Sequence, residues 1–223
     1  MSLVLLHDRL LAWASSDPQD PRLLAARRRH FERYGEPHEE DPSYERRMNG
    51  MLEYYLYDDR PEPGAPTALE RLLTEQSAAL GPDQVAAFRA LCASRHGLFE
   101  VTSLATGTVG LRDVFTGQAF EVTERRQVAG LAKGDLFEAR LVPFGGHLWF
   151  TTAFLYHPTE ARARILAEVK RARKAAGKHG RPDVEGFLAT LSRMAFKLER
   201  YRNVRLESIY AFKGDGRAVR STG

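Results

Sequence analysis

Basic side chains in the C-terminal third of the sequence are the residues whose type and spacing most clearly indicate chemistry. Residues 157–223 hold 16 basic and 7 acidic side chains, against 12 and 16 in residues 1–96. Lysine and arginine side chains that share one face of a helix can neutralise successive phosphates of a nucleic acid. The sequence therefore predicts binding to an acidic partner, with DNA or RNA as the first candidate.

The predicted contact residues lie at helical spacing on two stretches of the chain. Such stripes also occur on solvated helix faces, and they can instead meet the acidic N-terminal helices of the same chain. Both alternatives remain open from the sequence. The six residues are Arg164, Arg171, Lys174, Lys178, Arg193 and Lys197.

Two groups of acidic residues form a second candidate site, for a divalent cation. One group surrounds His38 and the other lies beside Arg60. Carboxylates suit such ions, but neither group has the spacing of an EF-hand or an HExxH motif. Acidic residues are also favoured at helix N-termini, so we predict no metal site. The groups are Glu36, Glu39, Glu40 and Asp41, and Asp58, Asp59 and Glu62.

Several function classes are excluded by simple features of the sequence. Cys92 is the single cysteine, so an intramolecular disulfide or a cysteine-based zinc site cannot form, which favours a cytoplasmic location. We place Cys92 on the apolar face of a helix, where a thiol is inert. No Walker A, GxGxxG or GxSxG motif occurs, and we predict no cofactor.

The same features argue against a membrane protein. Charged residues interrupt the apolar start Met1–Leu6 at once, so we predict no signal peptide. The longest apolar stretch, Phe144–Tyr156, is too short to span a bilayer as a helix. We therefore expect no membrane partner.

The elements that position these residues follow from periodicity and capping signals. Helices are predicted over residues 1–96, with starts at Asp20-Pro21, Asp41-Pro42, Thr67 and Gly81-Pro82 and a last end at His96-Gly97. Residues 97–157 alternate like strands and are separated by glycine turns, which predicts a five-stranded antiparallel meander or small barrel. Residues 158–212 return to helical spacing as a basic helix hairpin. Residues 213–223 are predicted to be a disordered tail.

The fold class is therefore α+β, with the three regions packed as one integrated unit. The predicted last strand, His147–Tyr156, is apolar on both faces, so we expect one face inside the barrel and helices on the other. Exposed aromatic side chains of a small barrel could stack nucleic-acid bases, but we interpret those of this strand as core. The segment Lys133–Leu141 is typical of a barrel turn and strand, and we assign it no chemistry.

Three stretches of the sequence carry a resemblance to a family. They are Tyr54–Asp59 followed by Thr67–Glu70, then Leu111–Gly117, then Gly134–Leu141. Over roughly residues 50–157, the chain resembles uncharacterised bacterial small-barrel proteins, some of which carry a SEC-C zinc motif. That motif is absent here, so zinc is not implied. The resemblance implies a fold and no known activity.

These observations favour a non-catalytic binding or adaptor protein that engages an acidic partner through the basic helix hairpin. A module for protein–protein interaction, either monomeric or dimeric, is the second hypothesis. A metal-dependent enzyme is the third, and it depends only on the acidic groups described above.

Overall fold

The computed structural model describes residues 2–124, 130–177, 180–201 and 203–212. The predicted tail at 213–223 lies outside the described residues. The N-terminal helices are α1 (Leu3–Ala14), α2 (Pro21–Tyr34), α3 (Tyr44–Tyr57), α4 (Ala68–Gln76) and α5 (Pro82–Leu91). The strands are β1 (Arg95–Ala105), β2 (Thr108–Asp113), β3 (Ala119–Thr123), β4 (Leu136–Phe144), β5 (His147–Phe150) and β6 (Leu155–His157). The C-terminal helices are a 3₁₀ turn (Thr159–Ala161), α6 (Arg162–Ala176), α7 (Val184–Arg200) and α8 (Leu206–Ile209). The α+β class is confirmed.

Capping chemistry determines where most N-terminal helices begin. Thr67 and Glu70 form the predicted capping box, since each side chain accepts the other residue's backbone N–H. Pro21 opens α2 behind Asp20, whose carboxylate accepts the N–H of Arg22. The predicted start at Asp41-Pro42 is wrong, because α3 begins later, at Tyr44. The carboxylate of Asp41 instead bonds the backbone N–H of His38 and two arginines.

The end of the N-terminal helical region also differs from the prediction. Helix α5 ends at Leu91, and His96 lies inside β1 rather than at a helix end. Cys92 caps α5 and is exposed rather than in the core. In the described part of the chain, no helix combines the length and the apolar character needed to cross a membrane.

The strands form one mixed sheet in the order β1-β2-β3-β5-β4-β6, with β1 also paired to β4. This corrects the predicted five-stranded antiparallel meander or small barrel in two respects. Strands β3 and β5 are parallel and join through the single pair Val122 and Leu148. The sheet has six strands of mixed direction and is not a closed barrel. The predicted strand His147–Tyr156 is two strands, because the chain leaves the sheet at Thr151 to contact α3.

Strand β4 lies at the centre of the molecule and is covered on both faces. Its residues Phe137, Ala139 and Leu141 pack into the core between the strands. Alternate residues on the other face are Glu138, Arg140 and Val142, which contact the helices. The sequence predicts a strand covered on both faces at His147–Tyr156, but the strand that is covered on both faces is β4.

Helix α7 connects the C-terminal region to the N-terminal helices. It shares a core with α6 that includes Ile165 and Leu188. Its backbone nevertheless packs more extensively against α2 than against α6. The predicted hairpin is therefore not self-contained.

An ionic cluster around Asp41 holds the C-terminal end of α7 against the N-terminal region. Arg200 donates two hydrogen bonds to the Asp41 carboxylate, at 2.9 and 2.6 Å. Arg47 approaches the same carboxylate at 3.0 Å, and Ser43 donates to Glu199 at 2.5 Å. The Arg200 hydrogen bonds hold the pKa of Asp41 well below its usual range.

We expect Asp41→Asn to lower the free energy of unfolding at pH 7 by about 1–2 kcal/mol, the size of a charge-assisted hydrogen bond at a partly exposed site. Because the folded-state pKa of Asp41 is depressed, its stabilisation is present above the unfolded-state pKa of about 4 and is lost as the pH falls. The difference between wild type and variant should therefore shrink below pH 4. Urea unfolding at pH 7, 5 and 3.5 measures it.

Glu40→Gln is the matched control, since Glu40 is an exposed acidic neighbour in the same segment. It should change stability by less than about 0.5 kcal/mol at any of these pH values. An equal loss in both variants would show that Asp41 acts through general charge rather than through Arg200.

Candidate functional site

The predicted basic residues of α6 differ in their exposure and in their ion pairs. Arg171 is 2.9 Å from the carboxylate of Glu168. Arg164 is partly buried, and Lys174 is exposed. Lys178 lies outside the described residues. The predicted stripe is thus partly neutralised within α6 itself.

The predicted basic residues of α7 lie on the side that faces the N-terminal region. Arg193 donates a hydrogen bond to the backbone carbonyl of Glu32, and Lys197 is exposed. Arg33 of α2 pairs in turn with Glu185 of α7. Part of the C-terminal positive charge therefore binds the N-terminal segment of the same chain, as one of the sequence alternatives describes.

A groove beside α6 is lined by basic residues that are mostly not among the six predicted from the sequence. It has a volume of about 780 Å³ and is lined by Lys170, Arg173 and Lys174 of α6 and by Arg112 of β2. Glu100 beneath it is shared by Arg112 and Arg162. The α6 cations of the groove are exposed, so their charge is open to an external anion.

Asp58 and Asp59 of the second acidic group bind arginines, as Asp41 of the first group does. Asp59 forms a two-pronged pair with Arg29, at 2.9 and 2.8 Å, and Asp58 forms another with Arg140. Among the described residues, no three His, Cys, Asp or Glu side chains come together in a way that could hold a metal ion.

The aromatic residues of the sheet pack mainly against one another. Phe150 is buried and lies 4.7 Å from Phe154, measured between ring centroids. Tyr156 stacks on Phe154 and is 46% exposed. Trp149 donates to a backbone carbonyl of the β4 end. Tyr156 is therefore the one ring of this group with a largely exposed surface.

A cavity of about 320 Å³ lies where α2, α3, β1, β4 and α7 meet. Its walls combine aromatic rings with charged groups that are deeply buried. Three of these groups, Glu53, Glu138 and Arg140, are at most 3% exposed. Its lining also includes Arg46, Arg47, Asp58, His30 and His96.

Arg140 is at the centre of the first polar network of this cavity. Its guanidinium forms the pair with Asp58, donates to Ser94 at 3.2 Å and lies over the ring of Tyr57. Its Nε is 3.3 Å from Glu53. The Asp58 charge offsets the effect of burial on Arg140 and raises its pKa, so the guanidinium stays charged.

Glu53 has a different balance of burial and charge. Burial raises the pKa of Glu53 to about 7, and the positive charge of Arg140 and a hydrogen bond from Thr151 oppose that increase. His7 lies 3.7 Å from the second carboxylate oxygen, and burial lowers the pKa of His7 to about 4. Glu53 is therefore able to exchange a proton near neutral pH while His7 remains neutral.

Glu138 is at the centre of the second network, two residues before Arg140 on the same face of β4. It accepts a hydrogen bond from Ser192 of α7 at 2.9 Å, and its other oxygen is 3.2 Å from Nε2 of His157. Nδ1 of His157 is 3.1 Å from the hydroxyl of Tyr210. This network joins β4, β6, α7 and the segment after α8.

Two further histidines face the cavity in their neutral form. Burial lowers the pKa of His30 to about 3, and the nearby charge of Arg47 adds to the effect. Burial and the charge of Arg140 lower the pKa of His96. The His30 ring stacks on Tyr34 at 4.5 Å, and its Nδ1 is buried without a hydrogen-bond partner. Neutral imidazoles of this kind can donate or accept a hydrogen bond.

Sequence reasoning missed most of this cavity. Glu138 and Arg140 lie in Lys133–Leu141, the segment for which the sequence predicts no chemistry. The sequence places His96 at the end of a helix rather than in a strand. The signal in the sequence was the alternation Leu-Phe-Glu-Ala-Arg-Leu-Val at 136–142. Two opposite charges at alternate positions of a strand covered on both faces must be buried, and buried charges require partners.

The comparisons with known proteins identify a family whose function is unknown. A family model described as a family of unknown function (DUF7986) matches residues 26–206, which include α3, the sheet, α6 and α7. The chain belongs to this family. No curated protein and no solved structure matches it.

We expect Arg140→Met to lower the free energy of unfolding by about 3–5 kcal/mol at pH 8, because it leaves the buried Glu53 without its cation. The loss should be smaller at pH 5, where Glu53 is protonated and needs no partner. Urea unfolding at both pH values measures the difference.

The double variant Arg140→Met, Glu53→Gln provides the control for this interpretation. Removing the unpaired carboxylate should restore part of the stability at pH 8 and very little at pH 5. Strictly additive losses in the double variant would contradict the pairing.

Proposed function

We propose that the protein binds a small organic molecule in the central cavity. The observation that carries the proposal is the combination of a roughly 320 Å³ cavity with aromatic walls and several buried polar groups. Ligand sites in proteins are concave, largely apolar and furnished with a few fixed polar groups.

The polar groups give this proposal its main support. Buried charged residues cost stability unless they are paired, and well-packed apolar residues replace such pairs without loss. Through their partners, Arg140 and Glu138 connect β4 to Glu53 of α3, to α7 and to β6. A binding site explains why these groups are arranged around an open volume, since a ligand needs partners held in fixed positions.

We expect ligand-observed NMR against a library of metabolite-sized compounds to identify binders that raise the melting temperature of the protein. Ala153→Phe should abolish their binding, because Ala153 lines the cavity at the gap between β5 and β6 and a phenyl ring would occupy the volume. Ala119→Phe is the matched control, since Ala119 is exposed on β3 and lies outside the cavity. Equal binding by both variants, or a library without binders, would overturn the proposal.

Binding of nucleic acid is the second candidate function, and the α6 groove favours it. Lys170, Arg173 and Lys174 are exposed along one wall and have no acidic partner among the described residues. The carboxylates nearby are occupied, since Glu100 binds two arginines and Asp113 binds backbone N–H groups. We propose that this groove beside α6, rather than the exposed surface of α7, contacts the phosphates. The curved sheet would act as a partly open small barrel that supports α6.

Fluorescence anisotropy with labelled DNA and RNA at 50 and 200 mM salt tests this second function. We expect salt-sensitive binding, with a log–log slope of about −0.7 to −0.9 for each phosphate neutralised. Changing Lys170, Arg173 and Lys174 to glutamine should lower the affinity and reduce the magnitude of the slope by about 2–3, because three phosphate contacts are lost.

The same charge removed elsewhere provides the control for that experiment. Arg22, Arg28 and Arg89 are exposed on the N-terminal helices, and their triple glutamine variant has the same net charge as the α6 variant. It should bind as the wild type does. Equal weakening in both triple variants, or no binding at 50 mM salt, would exclude the α6 groove as a specific site.

A further inference from the structure

The central cavity contains polar atoms that the protein itself leaves without hydrogen bonds. They are Nδ1 of His30 and Nε of Arg46. The carboxylates of Glu53 and Glu138 each keep one oxygen that accepts no hydrogen bond, although His7 and His157 lie 3.7 and 3.2 Å from those oxygens. His30, Glu53 and Glu138 are all more than nine-tenths buried. Because an unpaired buried polar atom destabilises the folded protein, a ligand that supplies the missing partners recovers that free energy.

The types of these atoms define what the ligand must offer. Arg46 can only donate a hydrogen bond, the carboxylates can only accept while ionised, and neutral His30 can do either. The matching molecule therefore carries both N–H donors and carbonyl or ring-nitrogen acceptors.

The charge balance of the lining excludes a strongly anionic ligand. Four carboxylates and three arginines line the cavity. Two of those arginines are already neutralised, Arg140 by Asp58 and Arg47 by Asp41. Of the carboxylates, Asp58 and Glu185 are likewise paired, with Arg140 and Arg33, which leaves Glu53 and Glu138 against Arg46. A phosphate or carboxylate entering here would meet this excess of carboxylates and would lose its hydration.

The rings of the lining define the shape of the ligand. They come from α2, α3, α7 and the segment between β5 and β6, and they are Phe31, Tyr34, Tyr54, Phe154 and Phe196. Aromatic walls favour flat ligands through stacking and edge contacts. A volume near 320 Å³ is at the lower end for ligand sites, which suits a single heterocycle or a heterocycle with one sugar.

We propose that the cavity binds a planar nitrogen heterocycle that carries an exocyclic amino group and no phosphate, of the size of a nucleobase or nucleoside. The amino group donates to the Glu138 carboxylate, while ring or carbonyl acceptors face Arg46 and His30. This inference rests on the proposed function, because it specifies the ligand of the same cavity.

Isothermal titration calorimetry with the full chain tests it, using adenosine, guanosine and cytidine as probes. At least one should bind. Its 5′-monophosphate should bind at least about tenfold more weakly, since that factor corresponds to 1.4 kcal/mol of unfavourable charge. The analogue without the amino group should lose at least about tenfold as well, because a hydrogen bond to a charged group contributes that much.

Two variants separate specific recognition from general packing. His30→Phe keeps a ring in the same place and removes the nitrogen, so it should fold and should bind the probes at least about tenfold more weakly. Glu138→Gln should weaken the amino-bearing probe far more than its amino-free analogue. If Glu138→Gln does not fold, the comparison of the two probes on the wild type provides the same information.

The failure of this inference is distinguishable from the failure of the proposed function. If benzamidine, a flat amidinium cation, binds in the wild type but not in Ala153→Phe while no nucleoside binds, the cavity is a ligand site and the heterocycle is wrong. If the monophosphates bind more tightly than the nucleosides, the charge argument is wrong. If neither the probes nor the library compounds bind, both proposals are overturned.

Discussion

The buried guanidinium of Arg140 is the constraint on which most of this structure depends. A cation that is removed from water costs several kcal/mol unless carboxylates and hydrogen-bond acceptors surround it. Asp58 and Glu53 must therefore reach β4 from α3, and Ser94 must reach it from the turn before β1. These requirements fix how the N-terminal helices sit on the sheet, and apolar packing by Val142 and Leu56 then fills the space around them.

A second buried charge extends the same principle to the C-terminal half. Glu138 is two residues from Arg140, so both side chains leave β4 on the same face. Ser192 donates a hydrogen bond to Glu138, His157 lies 3.2 Å from its other carboxylate oxygen, and the Tyr210 hydroxyl lies 3.1 Å from His157. The two networks attach different helices to one strand, and the cavity lies between them. Its position is a consequence of where these charges need partners.

The basic residues of the C-terminal helices fall into two groups in the folded chain. Arg193 and Arg200 of α7 bind the N-terminal segment and hold α7 in place. Lys170, Arg173 and Lys174 of α6 remain exposed beside a groove. Net charge by region therefore predicted that the C-terminal helices meet something acidic, but it did not separate an internal partner from an external one.

Local signals in the sequence determined the elements of this protein, whereas only the tertiary structure decided its sites. The Thr67 capping box and the start of α2 at Asp20-Pro21 depend on residues within a few positions of one another, which is why their prediction was correct. The role of Asp41, the parallel pairing of β3 with β5 and the cavity depend on contacts between distant segments. Arg140 and Asp58 are 82 positions apart, and Ser192 and Glu138 are 54 apart. Such pairs leave no local pattern in the sequence, and folding alone brings their side chains together.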